Sequence, residues 1–474
     1  MNAKLRSHRS SERRHTRLTK LRPLALCLLG LGTFAQAQLG LPPMVTATVG
    51  STTDSLERLR RAPLPNTASA LERRLLAPLP NRLPDNLRPP TVPLGTPPVN
   101  LLILDGRGAI AFMDVEVENG RRAVQHEWLL MLNSGELALL KPLNAEILEQ
   151  RRLPELGLEM VRFRVPSGLD SYAALHKALP ADLAQRLDRN HIYTPQAGTQ
   201  SSVRHSSVRQ SSEPASLPQQ PLCEQAVKIG MVDTAIANGH PGLVYSHIVE
   251  RSFLQEAVGA EGIGPPTGHG TAVAGLLVGV IEGAPARLPE ATLYNASVFY
   301  SRNQYAQGAT MMHLVSGLNW LAEQDVSVIN MSLTGPDNRI LATAIARIAT
   351  AGIVVVAAAG NEGPAAPALY PAAYSEVIAS TAVDVRGRVY RWANRGEHID
   401  FAGLGVSVRT TRGDGEFGHE SGTSMAAPTV TAHVACALAN NLASNKDVVR
   451  YLAGQAKDLG EAGRDPIFGY GLLD

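Results

Sequence analysis

The chain has 474 residues, with 44 Lys and Arg against 42 Asp and Glu and a net charge near +2. Charged residues make up 18% and aromatics 5%, a balance that gives no reason to expect nucleic acid as a partner. So long a chain excludes a single small domain and predicts two or three folded units joined by linkers.

The N-terminus carries a basic stretch through Arg22, an apolar run from Leu24 to Phe34, and the small-x-small sequence Ala35-Gln36-Ala37. This is the pattern of a secretory signal peptide over 1–37. About a dozen apolar residues cannot span roughly 30 Å of hydrocarbon, so a membrane anchor is not expected. The predicted destination is secretion or the periplasm, with no membrane association after cleavage. Cys27 leaves with this segment, and Cys223 and Cys436 remain for an oxidising compartment. Both a disulfide between them and a buried free thiol at Cys436, in an Ala-rich helix, fit the sequence.

Residues 38–99 repeat Leu-Glu-Arg followed by Ala-Pro-Leu-Pro-Asn at 56–66 and 71–81, then become denser in Pro. An extended, disordered spacer is predicted. Residues 100–195 carry an α+β pattern. An apolar run at Trp128–Leu132 leads to a predicted helix over Asn144–Arg152. Val161, Phe163 and Val165 then alternate with Arg162 and Arg164, as a half-buried strand requires. A second helix is predicted over Asp170–Ala178, and the segment closes with Asp188 to Tyr193. Residues 196–221 are rich in Ser, Gln, Pro and Arg, an exposed linker of the kind where proteolytic nicking concentrates.

Residues 222–474 alternate short apolar strands, near 227–233, 292–299, 327–333 and 352–358, with helices at about 269–280, 311–324, 339–350 and 423–440. The strands are continuous Val/Ile/Ala runs, which indicates parallel strands buried on both faces. A three-layer α/β/α domain follows, with its site at the carboxyl ends of the strands.

Three phrases in this region place residue types where nucleophilic catalysis needs them. Val-Asp-Thr-Ala-Ile at 232–236 puts Asp233 at a strand end, and Gly-His-Gly-Thr-Ala at 268–272 puts His269 at a helix entry. Ser-Gly-Thr-Ser-Met-Ala-Ala-Pro at 421–428 opens a small-residue helix with Ser424, and Pro428 suits a first helical turn. Ser424 reads as nucleophile, His269 as its base, and Asp233 as the group that orients the base. His205, His240 and His313 lack the Gly-His-Gly-Thr setting and read as surface or capping residues. A fourth phrase, Ala-Ala-Ala-Gly-Asn-Glu-Gly at 357–363, follows a buried Val run.

Together these phrases resemble the subtilisin-like serine peptidases, the subtilases. The resemblance implies that Asn361 donates to the tetrahedral oxyanion beside the Ser424 amide. It implies that Ile329 to Leu333 are the strand that pairs with substrate backbone. Ser332, Leu333, Thr334, Gly335 and Gly360 form the expected substrate-binding set, with Ser301–Tyr305 as an opposite wall. Thr334 stands where the family often has Gly, which implies small or medium apolar residues at P1. Ala235 also stands where Gly is usual, and would be strained if the site required positive φ.

By the same resemblance, 100–195 looks like a subtilase propeptide, an α+β ferredoxin-like unit that assists folding and inhibits the enzyme in cis. The close at Gly463-Arg464-Asp465 and Phe468 to Leu472 is similar to the usual end of such domains, so no further module is expected. No HExxH and no paired CxxC occurs, so no cofactor or metal is expected; structural calcium is implied by the family alone. The resulting expectation is a monomeric, exported serine endopeptidase acting on polypeptides and made as an autoprocessed zymogen. A processing peptidase with few targets and a peptide-binding pseudoenzyme are the rivals. Esterase chemistry is disfavoured because there is no Gly-x-Ser-x-Gly elbow.

Overall fold

The structure is a computed structural model that describes residues 100–133, 135–195, 218–254, 264–302, 307–440, 442 and 444–474. The signal peptide, the Pro-rich spacer, most of the Ser/Gln-rich linker, His205 and Tyr305 lie outside the described residues.

Strands β1 (Asn100–Leu104) and β2 (Ile110–Glu116) form a hairpin at the start of a small domain. β3 (Arg122–Leu132), β4 (Glu146–Leu153), β5 (Leu158–Arg164) and β6 (Leu187–Pro195) follow. Their order is β4-β5-β3-β6, antiparallel throughout, with β2 on the early part of β3. This is the ferredoxin-like arrangement. Helix α1 (Tyr172–Ala178) and the short α2 (Ala181–Ala184) form the second crossover.

The predicted helix over Asn144–Arg152 is not formed. A 3-10 segment, Glu136–Leu143, takes the first crossover, and Asn144 ends it in the left-handed region at φ 50°. The following charges belong to β4 instead. Glu149 lies across from Arg162, and Glu146 across from Arg164, with ion pairs of 3.3 and 3.1 Å. Charges that suit an exposed helix thus serve as cross-strand partners.

One face of this sheet, with Trp128, Leu130, Val161 and Phe163, packs on Leu175 and Leu183. The other, with Leu129, Met131 and Met160, joins the core of the following domain. Burial on both sides explains the unbroken apolar run in β3.

In the larger domain β7 (Lys228–Asp233), β8 (His247–Ser252), β9 (Thr292–Ser297), β12 (Val328–Met331), β14 (Val354–Ala358), β15 (Val377–Val383), β16 (Ile399–Leu404) and β19 (Leu472–Leu473) form one sheet. Every pair in its order, β19-β16-β15-β14-β12-β7-β9-β8, is parallel. Helices α3 (Gly268–Val278), α4 (Met311–Glu323), α5 (Arg339–Thr350) and α6 (Thr423–Ala439) cover the sheet. Almost every residue of α3 is buried, as an all-round apolar sequence requires. The three-layer architecture and all four predicted strands and helices are present. Strands β8, β15, β16 and β19, a separate hairpin of β17 (Val408–Thr411) and β18 (Phe417–Glu420), and a last helix, α7 (Asn445–Ala453), complete it.

Cys223 and Cys436 are joined by a disulfide with Cα atoms 5.9 Å apart, so the free-thiol alternative does not hold. The bridge ties the start of the domain to α6, which carries Ser424.

β6 links the two domains. Its C-terminal half pairs antiparallel with β11 (Gln307–Thr310), which pairs in turn with β10 (Tyr300–Ser301), and also with β13 (Leu333–Thr334). Its other half docks on α5, where Asp188 Oδ2 accepts from the Arg339 amide at 2.7 Å. The Asn338 side chain caps the same helix and donates to the Arg189 carbonyl.

Candidate active site

Asp233 is the last residue of β7 and is fully buried. A parallel strand ends there because the next residues leave the ladder, and the carboxylate is held by its own turn. Its Oδ1 accepts from the Thr234 amide at 2.7 Å and from His269 Nδ1 at 2.8 Å. With a carboxylate as partner, Nδ1 carries the proton and Nε2 is left as the basic nitrogen. Nε2 is buried and has no hydrogen-bond partner among the described residues, so Ser424 does not donate to it in this conformation. Contacts of this kind often tighten only when substrate is bound.

Gly270 lets α3 approach that turn. A methyl group there would lie 2.4 Å from the Thr234 carbonyl, and its amide donates to Thr234 Oγ1 at 2.7 Å. Gly268 does not share this role, since a methyl there meets nothing within 4 Å. Ala235 is not among the residues of positive φ, so the departure from Gly brings no strain.

Ser424 is the second residue of α6, after Gly422 at φ 150°, and is fully buried. The helix carrying His269 packs against this helix. Pro428 lies one turn deeper than predicted, and its position has a consequence. Having no N–H, it leaves the Ser424 carbonyl without its helical donor. The Ser332 hydroxyl supplies that bond at 2.9 Å. Asn330 donates to Ser332 Oγ, and Thr431 donates to Asn330 Oδ1, each at 2.9 Å. A chain of neutral hydrogen bonds therefore fixes the first turn of the helix. Ser332 was expected in the substrate set, but its hydroxyl serves the helix instead.

Asn361 meets the same turn from the other side. Its Oδ1 accepts from the Thr423 amide and from Thr423 Oγ1, both at 3.0 Å. That commitment assigns the amide orientation and leaves Nδ2 as the donor end. Gly360, at φ +114°, donates to Thr423 Oγ1 at 3.1 Å, and a methyl there would press on Leu369 and Asn394. Gly360 thus shapes the loop under Asn361.

The remaining expected residues lie along the groove. Leu333 and Thr334 pair with Pro195 and Thr194 of β6. Gly335 pairs with Tyr370 instead, and the Tyr193 ring covers it so closely that a methyl would fall 2.3 Å from that ring. Of the predicted opposite wall, Ser301 lies in β10 and pairs with Gln307.

Several positioning residues were not singled out in the sequence. Thr423 links Asn361 to the helix, and Asn394 braces the Asn361 loop, with Oδ1 accepting from the Glu362 amide and N–H donating to the Gly360 carbonyl. Glu250 and Asn295 hold the turn after Asp233: Glu250 Oε2 accepts from the Ile236 amide and from Asn295 Nδ2, which also donates to the Thr234 carbonyl. Burial pushes the Glu250 carboxyl up, against those two donors. Thr423 and Asn330 sit inside quoted phrases, but nothing local distinguishes Asn394, Glu250 and Asn295. His240 caps the turn at Pro241, as read, while His313 is buried at the domain junction rather than at the surface. Among the described residues no group of three His, Cys, Asp or Glu could hold a metal ion.

The sequence profile of the subtilase family matches residues 224–471. The minor extracellular protease Epr of Bacillus subtilis is 33% identical over 210 residues, 44% of this chain and 32% of its own length. The major intracellular serine protease of the same organism is 36% identical over 224 residues, 45% of this chain and 67% of its own length. Subtilisin DY of Bacillus licheniformis is 34% identical over 256 residues, 52% of this chain and 89% of its own length. A solved lanthipeptide protease aligns with a TM-score of 0.46 at 22% identity, over 53% of this chain and 86% of that one.

Proposed function

Since the chain belongs to the subtilase family of serine endopeptidases, we propose that it is an exported, monomeric enzyme made as a zymogen, with residues 100–195 as its own inhibitor. Peptide bonds of extended polypeptides are its substrates. His269 Nε2 takes the Ser424 Oγ proton as that oxygen attacks the scissile carbonyl carbon. The oxyanion is held by Asn361 Nδ2 and the Ser424 amide. The C–N bond then breaks, His269 returns the proton to the leaving amine, and an acyl-enzyme remains. Water, deprotonated by the same nitrogen, resolves it through a second oxyanion.

The observation that carries this reading is the pairing of Thr194 and Pro195 with Thr334 and Leu333. An extended segment of the chain already lies where a substrate strand would add to the sheet. Release then requires cleavage beyond Pro195, in the 196–221 linker. Ser424→Ala is expected to give a full-length protein that never separates and takes no fluorophosphonate label, whereas the parent chain does both. Normal maturation of the variant with no other protease present would overturn self-cleavage. An unlabelled parent would overturn the peptidase reading. Casein digestion then separates a broad endopeptidase from one with few targets.

A further inference from the structure

The β1–β2 hairpin makes a contact with the peptidase domain that none of the steps above uses. Asp114 of β2 is fully buried, and its carboxylate is shared between the two domains. Oδ1 accepts from Arg122 Nε of the small domain at 2.7 Å, and Oδ2 accepts from Arg302 Nε of the peptidase domain at 2.6 Å. Beside this pair Phe112 meets Tyr300 edge-on, ring centroids 5.2 Å apart. Arg302 follows β10 directly, on the wall whose partner strand β11 binds β6.

Arg302 also touches the path of the extended segment. A methyl placed on Gly308 would lie 2.9 Å from each of Arg302 Cδ, Ile192 Cγ2 and Tyr300 Oη. Ile192 is the residue that pairs with Thr310. Its side chain and the arginine therefore share one face of β11. Among the described residues, Asp114 is the one carboxylate that pairs with Arg302. When the small domain departs, Asp114 and Arg122 leave together, and the wall keeps one guanidinium that has lost its carboxylate.

We propose that Arg302 is a specificity-determining residue of the mature enzyme, selecting Asp or Glu at the substrate position that Ile192 occupies in this chain. A guanidinium in a half-enclosed site pairs with carboxylates through two directed donors, and does so more strongly than in open water. The inference rests on the reading that residues 100–195 vacate the groove. It predicts a preference on the acyl side of the scissile bond, at the residue opposite Thr310, separate from the P1 pocket.

The test is cleavage of a peptide library by the mature enzyme, followed by matched peptides bearing Glu, Leu or Lys at each upstream position. One position should favour Glu over Leu about tenfold in kcat/KM, the size of one charge-assisted bond. Arg302→Ala should bring that ratio near one, Arg302→Lys should keep part of it, and Arg302→Glu should invert it toward Lys. Cleavage with no acidic preference at any upstream position overturns the proposal and leaves the peptidase reading intact. A preference that survives Arg302→Ala overturns it as well. Should the mature enzyme cleave no peptide and take no fluorophosphonate, the peptidase reading falls and this inference with it.

Discussion

The turn around Ser424 and the face where the small domain docks are built from different materials. Around Ser424, the buried Ser332, Asn330, Thr431 and Thr423 and the half-buried Asn361 form neutral hydroxyl and amide bonds. At the docking face neutral bonds, such as Asn338 to the Arg189 carbonyl and Tyr193 to the Pro336 carbonyl, are joined by charged ones: Asp188 to the Arg339 amide, Arg339 to the Ala184 carbonyl, Arg151 to Ser316, Arg302 to Asp114. Neutral bonds in a dry site hold geometry whatever the pH or salt. Charged groups cost more to bury and lose less when returned to water. The first set suits a permanent device and the second a detachable one.

The contrast breaks if the neutral network proves dispensable. Asn361→Ala removes both the proposed oxyanion donor and the acceptor for Thr423. A loss of about 10²–10³ in kcat is expected, the magnitude known for the equivalent donor in subtilisin, with KM little changed. Thr423→Val should cost less, because Asn361 Nδ2 remains. Equal kcat for Asn361→Ala and the parent chain, measured on one peptide, would remove Asn361 from the site.

The disulfide sharpens the contrast from the stability side. It closes a loop with a sequence separation of 213 residues and fastens the Ser424 helix to the start of its domain. Replacing both cysteines by Ser should lower stability by about 3–5 kcal/mol through the freedom regained by the unfolded chain. Thermal unfolding checks this, and an unchanged Tm would show that the bridge constrains nothing. The loss should fall on the peptidase domain and leave the docking bonds as they are.

What the residues reveal on their own follows the same division. Asp233, His269, Asn361 and Ser424 sit in phrases of small residues that were visible because the backbone must pass close to each of them, as Gly270 and Gly360 show. The parallel strands were visible because burial on both faces leaves no polar alternation. The β4 segment was not, since Glu-Ile-Leu-Glu-Gln-Arg-Arg satisfies a helix until Arg162 and Arg164 are known to lie across from it. Asn394, Glu250 and Asp114 stayed hidden for one reason: each acts through a partner distant in sequence, and nothing local marks them. His313 read as a surface or capping residue because it lacks the Gly-His-Gly-Thr setting, and the residues of the neighbouring domain that line its cavity are distant in sequence.

That buried histidine makes the docking face pH-dependent, alongside two histidines of the peptidase domain: His433, which burial pushes down to about 4, and His398, which burial also lowers. His313, at the start of α4, shares a small cavity with Glu127, Arg162 and Asn190 of the small domain. Burial, with Arg162 and Arg151 nearby, pushes its pKa down to about 3. His191 on β6 is likewise pushed down to about 3 by burial, then by Arg189 and Arg121, with Glu118 and Asp337 opposing. Its Nδ1 lies 3.0 Å from the Asn338 amide nitrogen and 3.8 Å from Asp188. Both rings are neutral when docked and titrate near 6.5 when exposed, so their contribution is complete above pH 6.5 and is lost as pH falls toward 3. At pH 5 each ring costs about 2 kcal/mol. Asp188 cannot cause this loss, because burial holds its carboxyl above the usual value, and such a group gains folded stability as acid rises. Glu136, drawn down to about 2 by Arg186, loses its contribution as pH falls from the ordinary carboxylate value toward 2, below the pH 7.5–5 window. In the Ser424→Ala protein the Tm should therefore fall between pH 7.5 and 5, and His191→Gln with His313→Met should remove part of that slope, leaving the share of His433 and His398. The same slope in parent and double variant would place the acid sensitivity elsewhere and leave the docking face no more detachable than the turn it covers.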